Sequence, residues 1–147
     1  MIREILVPVD GSEHSRTALE FACELCKKFD AGLHVVHVIK DEAAEKVVMV
    51  LGSASMTLPA SPESVTAAGK AVIDATRQFV EEKGCRLSAA DAVAGSPAKE
   101  ILAYAEKSAI DTIVMGSRGL SDAVGLLLGS VSHKVSHLAS CTCIVVR

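Results

Sequence analysis

The chain has 147 residues, half of them hydrophobic, with 15 basic and 18 acidic side chains and a formal net charge of −3. A length in the usual range of roughly 100–200 residues per domain predicts one domain over residues 1–147, with about two-thirds of its unfolded surface buried. The apolar content excludes intrinsic disorder, and one Tyr, three Phe and no Trp argue against nucleic-acid binding on stacking platforms.

In chain order, Ile5-Leu6-Val7-Pro8-Val9 is a short continuous apolar run, the signature of a strand buried on both faces. Asp10-Gly11-Ser12 breaks it, and Ser12 is placed to cap a helix from about Glu13 to Phe29. Ala18, Leu19, Ala22, Leu25, Cys26 and Phe29 form its expected apolar stripe, and the glycine of Asp30-Ala31-Gly32 suits its C-cap. Leu33–Ile39 is a second strand. Lys40–Ser61 is too long for an ordinary connection and reads as a functional loop or a short extra helix. Ser61-Pro62-Glu63 opens a helix to Glu82, with Val65, Ala68, Val72, Ala75 and Phe79 expected inward and Gly84 as its stop. Leu87–Ala94 is a third strand. Gly95-Ser96-Pro97 starts a helix to about Lys107, Asp111–Met115 is a fourth strand, and a last helix spans about Ser130 to Leu138, with Val131, Val135 and Leu138 inward. Cys143–Val146 closes the series.

Strands alternating with helices predict an α/β fold: an open parallel sheet covered by helices on both faces, with right-handed crossovers. Ligands in such folds sit at the carboxyl ends of strands, near the point where strand order reverses. That rule selects Pro8–Ser12, Val38–Lys40, Gly95–Ser96 and the loop after Met115.

The loop after Met115 is the most informative segment. Gly116-Ser117-Arg118-Gly119 follows a buried strand, and after nine intervening residues Gly129-Ser130 opens a helix. Backbone N–H groups and a helix N-terminus in that context suit a phosphate, because a Cβ would hold the phosphate away from the amides. Ser130 offers a hydroxyl, and Arg118 offers positive charge or faces solvent. A P-loop fits less well, since Gly125–Ser130 lacks the lysine and one spacer; a Rossmann fingerprint has no match at Asp10-Gly11-Ser12.

These segments together resemble the universal stress proteins, in their ATP-binding branch. The resemblance runs through Ile5-Leu6-Val7-Pro8-Val9-Asp10-Gly11-Ser12, His37-Val38-Ile39, Gly95-Ser96-Pro97, Asp111 to Gly119, Leu128 to Ser132 and Cys143 to Val146. The family's nucleotide signature G-x2-G-x9-G-[ST] is met by Gly116, Gly119, Gly129 and Ser130. The resemblance implies five parallel strands in order 3-2-1-4-5, a Rossmann-like adenine nucleotide alpha-hydrolase-type fold, and homodimers joined through the last strand. It implies that Pro8 and Asp10 line an adenosine site and that Val38 meets adenine through its backbone. Met115 and Gly116 would lie by the ribose, and Gly119, Gly129, Ser130, Val131 and Ser132 by the phosphates. The ligand implied is ATP or another adenine nucleotide, with Mg²⁺ accompanying the phosphates through their oxygens and water. Thr142 departs from the family, which usually has Pro there. Without aromatics, adenine would be held by aliphatic walls and backbone groups. Asp10 suits ribose hydroxyls or a metal, or alternatively an Asx-turn.

Other motifs carry less. Cys23-Glu24-Leu25-Cys26 lies inside a predicted helix, where a redox C-x-x-C does not belong, and Cys141-Thr142-Cys143 is a poor zinc partner for it. The five cysteines read as thiols. His133 and His137 are four apart but lack the glutamate of a metalloprotease motif, and His14 sits near the proposed phosphates. No catalytic residue or metal ligand can be named. The N-terminus lacks a signal-peptide pattern and no apolar run spans a bilayer, so a cytoplasmic location without membrane or nucleic-acid partners is expected. The first reading is a homodimeric adenine-nucleotide sensor of the stress response with slow or no hydrolysis. The alternatives are an ATPase or phosphotransferase on the same fold, and a protein-interaction or chaperone-like module using Val47–Leu51 as a contact patch.

Overall fold

The structure, a computed structural model, describes residues 1–40, 47–51, 54–58, 62–119 and 128–147, with backbone only at 47–51, 54–58 and 62–65. The elements in chain order are β1 (Glu4–Pro8), α1 (Glu13–Phe29), β2 (Gly32–Ile39), β3 (Val47–Leu51), β4 (Ala54–Leu58), α2 (Pro62–Glu82), β5 (Leu87–Ala94), α3 (Pro97–Lys107), β6 (Thr112–Gly116), α4 (Ser130–Leu138) and β7 (Thr142–Val146).

Five strands form a sheet in the order β5-β2-β1-β6-β7, and every pair in it is parallel. Counting only these strands, the order is 3-2-1-4-5, as the resemblance implied. The central strands are apolar on both faces because both faces are covered. Ile5, Val7, Leu33, Val35 and Val114 pack with α1 and α2 in one core, while Leu6, Val36, Ile113 and Met115 pack with α3 and α4 in the other. Each strand therefore feeds two cores through alternate side chains.

Within Lys40–Ser61 the described backbone is not the short extra helix considered for it. It forms an antiparallel hairpin, β3–β4, in which Met49 faces Met56. The missed signal is the two-residue Gly52-Ser53 connection between two apolar runs; those two residues, and the expected Ser61 cap, lie outside the described residues.

Several helix expectations need correction. The left-handed residue ending α1 is Asp30 (φ 54°), and the Ala31 N–H bonds the Cys26 carbonyl at 3.0 Å; Gly32 already belongs to β2. Phe29 is 46% exposed, and Cys23 with Ser15 joins the buried stripe in its place. On α2 the buried face is Gly69, Ile73, Thr76 and Val80, whereas Ala68 and Ala75 are exposed. Val72 and Phe79 are half-buried beside it, and the side chain of Val65 lies outside the described residues. Leu138 is 64% exposed, because α4 ends there and Val135 supplies its last fully buried contact.

Candidate functional site

Strand order reverses between β1, which continues to β2 and β5 on one side, and β6, which continues to β7 on the other. Two parallel strands whose crossovers leave on opposite faces open a crevice at their carboxyl ends. A small cleft of about 100 Å³, partly open to solvent, occupies this place. Pro8 and Asp10 line it from the end of β1, Val38 from β2 with Lys40 just after it, and Met115, Gly116, Arg118 and Gly119 from β6 and its loop. Ser130, Val131 and Ser132 line it from the first turn of α4. Of the ten residues expected at the site, Gly129 alone is not on the lining.

The mouth of β1 is built by local hydrogen bonds. Asp10 forms the Asx-turn considered for it: its Oδ1 accepts the Ser12 N–H at 2.9 Å. The Ser12 hydroxyl accepts the Ser15 N–H at 3.1 Å and caps α1 as expected. These contacts start α1 directly beneath the cleft and hold the Asp10 carboxylate at its rim.

The glycine segment divides its work. A Cβ on Gly116 would stand 2.7 Å from the backbone of His14, so this glycine lets α1 approach β6. The Gly129 N–H donates to the Ser117 carbonyl at 2.6 Å and the Ser117 N–H to the Val146 carbonyl at 2.7 Å. Gly129 thus ties the start of α4 to the end of the sheet, with its amide already engaged. The buried Ser132 hydroxyl donates to the Gly116 carbonyl at 2.7 Å, fixing α4 to β6 from the other side. Residues 120–127 of the nine-residue spacer lie outside the described residues.

Arg118 carries an unusual feature. Its Nε is buried and has no hydrogen-bond partner among the described residues. A buried, unsatisfied donor on a cationic group is costly, and an anion in the cleft would supply its acceptor. The first turn of α4 adds the positive end of a helix dipole.

The lining also contains residues not named for the site from sequence. Val36 and Ile101 are buried apolar side chains on it beside Met115, and Pro97 of α3 forms part of a wall. Only Met115 was expected; Val36 and Ile101 read from sequence as ordinary core positions. Lys40 fell within a segment selected by the strand-end rule. Gly95 and Ser96 instead line an adjoining groove with Lys40 and Lys134. Ser96 occupies the N-cap of α3 without a side-chain cap bond.

The histidines stand apart from this lining. His14 meets Gly116 through its backbone, His37 Nδ1 contacts the Val9 carbonyl at 2.8 Å, and His34 Nε2 contacts Glu4 Oε2 at 3.0 Å. His133 and His137 stack with centroids 6.4 Å apart on the exposed side of α4. Among the described residues no group of three or more His, Cys, Asp or Glu side chains is arranged to hold a metal. No described helix is long and apolar enough to cross a membrane.

Comparison with known proteins agrees with this geometry. The model of the universal stress protein family matches residues 1–147. The chain is 35% identical to universal stress protein YxiE of Bacillus subtilis, covering all of both chains. Its fold superposes on universal stress protein UspA from Lactobacillus plantarum with a TM-score of 0.77, at 28% identity, over 99% of this chain and 97% of that one. A universal stress protein solved in complex with cAMP shares the fold, with a TM-score of 0.72 at 20% identity over 99% of this chain and 97% of that one.

Proposed function

The chain belongs to the universal stress protein family, and from that premise we propose that it is an adenine-nucleotide-binding regulatory protein of the stress response. The observation that carries the reading is the convergence of nine motif-derived residues on one cleft at the switch point of the sheet. The buried Nε of Arg118 on the same cleft, without an acceptor among the described residues, supports an anionic ligand, and a protein of this fold has been solved with cAMP.

In this reading Pro8, Val36, Val38, Ile101 and Met115 supply the aliphatic walls for adenine, and the backbone at Val38 reads its edge. Asp10 accepts from ribose hydroxyls, and Gly116 lies alongside. Gly119, Arg118, Ser130 and Val131 receive the phosphates, while Gly129 and Ser132 hold the loop and helix that present them. ATP is the preferred ligand, since the cleft carries the cationic Arg118 at its phosphate end. Mg²⁺ accompanies the phosphates through their own oxygens and water, Asp10 being the one carboxylate on the described lining. Hydrolysis is slow or incidental, because efficient turnover requires a positioned water and additional transition-state charge, and Asp10 is turned onto the Ser12 amide. The protein works as a homodimer in the cytoplasm and reports its nucleotide state through the Lys40–Ser61 region or the dimer surface.

Thermal melts with adenosine, AMP, ADP and ATP–Mg²⁺ test this. A ligand at a hundred times its Kd stabilises by about 2.7 kcal/mol, which is a shift of several degrees in a domain of this size. ATP–Mg²⁺ is expected to raise the melting temperature most, Arg118→Ala to reduce the ATP shift while sparing that of adenosine, and Gly119→Val to abolish the ATP shift. No shift with any of the four at millimolar concentration overturns the reading.

A further inference from the structure

All five cysteines are free, and three of them meet far from the cleft. Cys23 and Cys26 lie one turn apart on the buried face of α1. Cys85, half-buried, lies in the turn between α2 and β5 and packs against the core cluster that contains the other two. Lys83, two residues before it, pairs with Glu20 of α1, and Cys85 lies close enough to both α1 thiols to raise them. The turn is held in place: Gly84 takes a φ of 65°, its N–H bonds the Glu81 carbonyl at 2.8 Å, and the Cys85 N–H bonds the Val80 carbonyl at 3.2 Å. Cys85 is thus fixed at the end of α2, on the core that α1 shares.

The three thiols differ in access. Burial, and after it the neighbouring Cys85, pushes the Cys23 thiol up to about 12, and the same causes push Cys26 up as well. Both stay protonated at neutral pH. Lys27 and Lys83 place positive charge near Cys23, and Arg86 does so near Cys26. A reagent arriving from solvent meets Cys85 first, with two protonated thiols directly behind it.

We infer that Cys85 is an oxidation site for small hydroperoxides, and that Cys26 or Cys23 resolves it into a disulfide joining the α2–β5 turn to α1. The Cys85 sulfur attacks one peroxide oxygen, and the O–O bond breaks. Cys85 becomes a sulfenic acid, and the other oxygen leaves as water or alcohol with the thiol proton. The α1 sulfur then attacks the sulfenyl sulfur, an S–S bond forms, and the hydroxyl departs as water with the second thiol proton. Two thiols lose two electrons in all, and the peroxide gains them. The α1 thiols suit the second step because they are held in place, which compensates for their low thiolate fraction.

The folded chain is treated with a small excess of hydrogen peroxide, quenched, unfolded in an alkylating agent, digested and mapped by mass spectrometry. Alkylatable thiols are expected to fall by two from the five of the chain. A Cys85 peptide should appear linked to the peptide carrying Cys23 and Cys26, and dithiothreitol should restore all five. Cys85→Ser should lose this link, and Cys23→Ala and Cys26→Ala identify the resolving partner by which of them abolishes it. Five alkylated thiols after oxidation, a link between Cys141 and Cys143 alone, or Cys85 recovered as sulfinic acid with no cross-link overturns the inference. If Cys85→Ser does not fold, the wild-type map decides by itself.

Discussion

At Gly116 the demand for glycine comes from the protein before it comes from any ligand. The atoms a Cβ would meet are His14 backbone, which cannot rotate away. Gly116→Ala should therefore cost about 1–3 kcal/mol of stability as an overpacked contact, measured by chemical denaturation without nucleotide; an unchanged midpoint would contradict the packing role. Tyr104 offers a second test at this scale, since it is the only tyrosine in a chain without Trp. Burial, and then the hydrogen bond its hydroxyl donates to Asp91 Oδ2 at 2.8 Å, push its pKa up to about 12. An unfolded tyrosine titrates near about 10. Between these values the folded protein keeps a proton that the unfolded chain has released. The resulting stabilisation is fully present below about pH 10 and is lost as the pH rises through about 12. Ultraviolet titration of the folded protein should show one phenolate transition near the upper value, and a midpoint near 10 would sink the assignment.

At the scale of elements, α2 shows how an alanine-rich helix can hide its phase. Val65, Ala68, Val72, Ala75 and Phe79 have helical spacing, but Ala contributes little area and so marks neither face. The sheet selects the neighbouring stripe, where Ile73 and Val80 are buried and Gly69 lets the Ile39 side chain approach. Ile73→Ala should cost about 2–4 kcal/mol, whereas Ala75→Ser should stay within about 0.5 kcal/mol; equal effects in urea denaturation would contradict the observed phase. The start of α1 was easier to read, because capping is local chemistry. Ser12→Ala should remove the bond to the Ser15 N–H and cost about 1 kcal/mol, seen as a lower melting temperature.

For the whole molecule, the two sheet edges differ in a way that bears on assembly. β5 exposes Ser88, Asp91, Ala92 and Ala94, with a charge on the strand, while β7 carries Cys143, Ile144, Val145 and Val146, all half-buried in one chain. An apolar edge strand is a template for another strand, and a charged one discourages pairing. The proposed homodimer should therefore form along β7. Light scattering during size-exclusion chromatography should give twice the chain mass, and Val145→Lys should shift it toward the monomer. A monomer at every concentration for the wild type would rule the dimer out.

Alternating short β-branched runs with capped helices was enough, from sequence, to determine a parallel sheet and the end of it that would carry a cleft. Those signals are local, and the crossover rule propagates them to topology. Pro8, Asp10, Val38, Gly116 and Gly119 reach the cleft for that reason, whereas the same rule also selected Gly95 and Ser96, which line an adjoining groove. Tertiary structure decided what depends on neighbours distant in the chain. It brought Val36 and Ile101 to the cleft wall, made Gly116 a contact for His14 and engaged the Gly129 amide with Ser117. It also set Cys85 against Cys23 and Cys26. None of these pairings has a periodicity of its own. Each exists because two faces of one sheet force separate helices to share a core, and only the packed molecule fixes which side chains then meet.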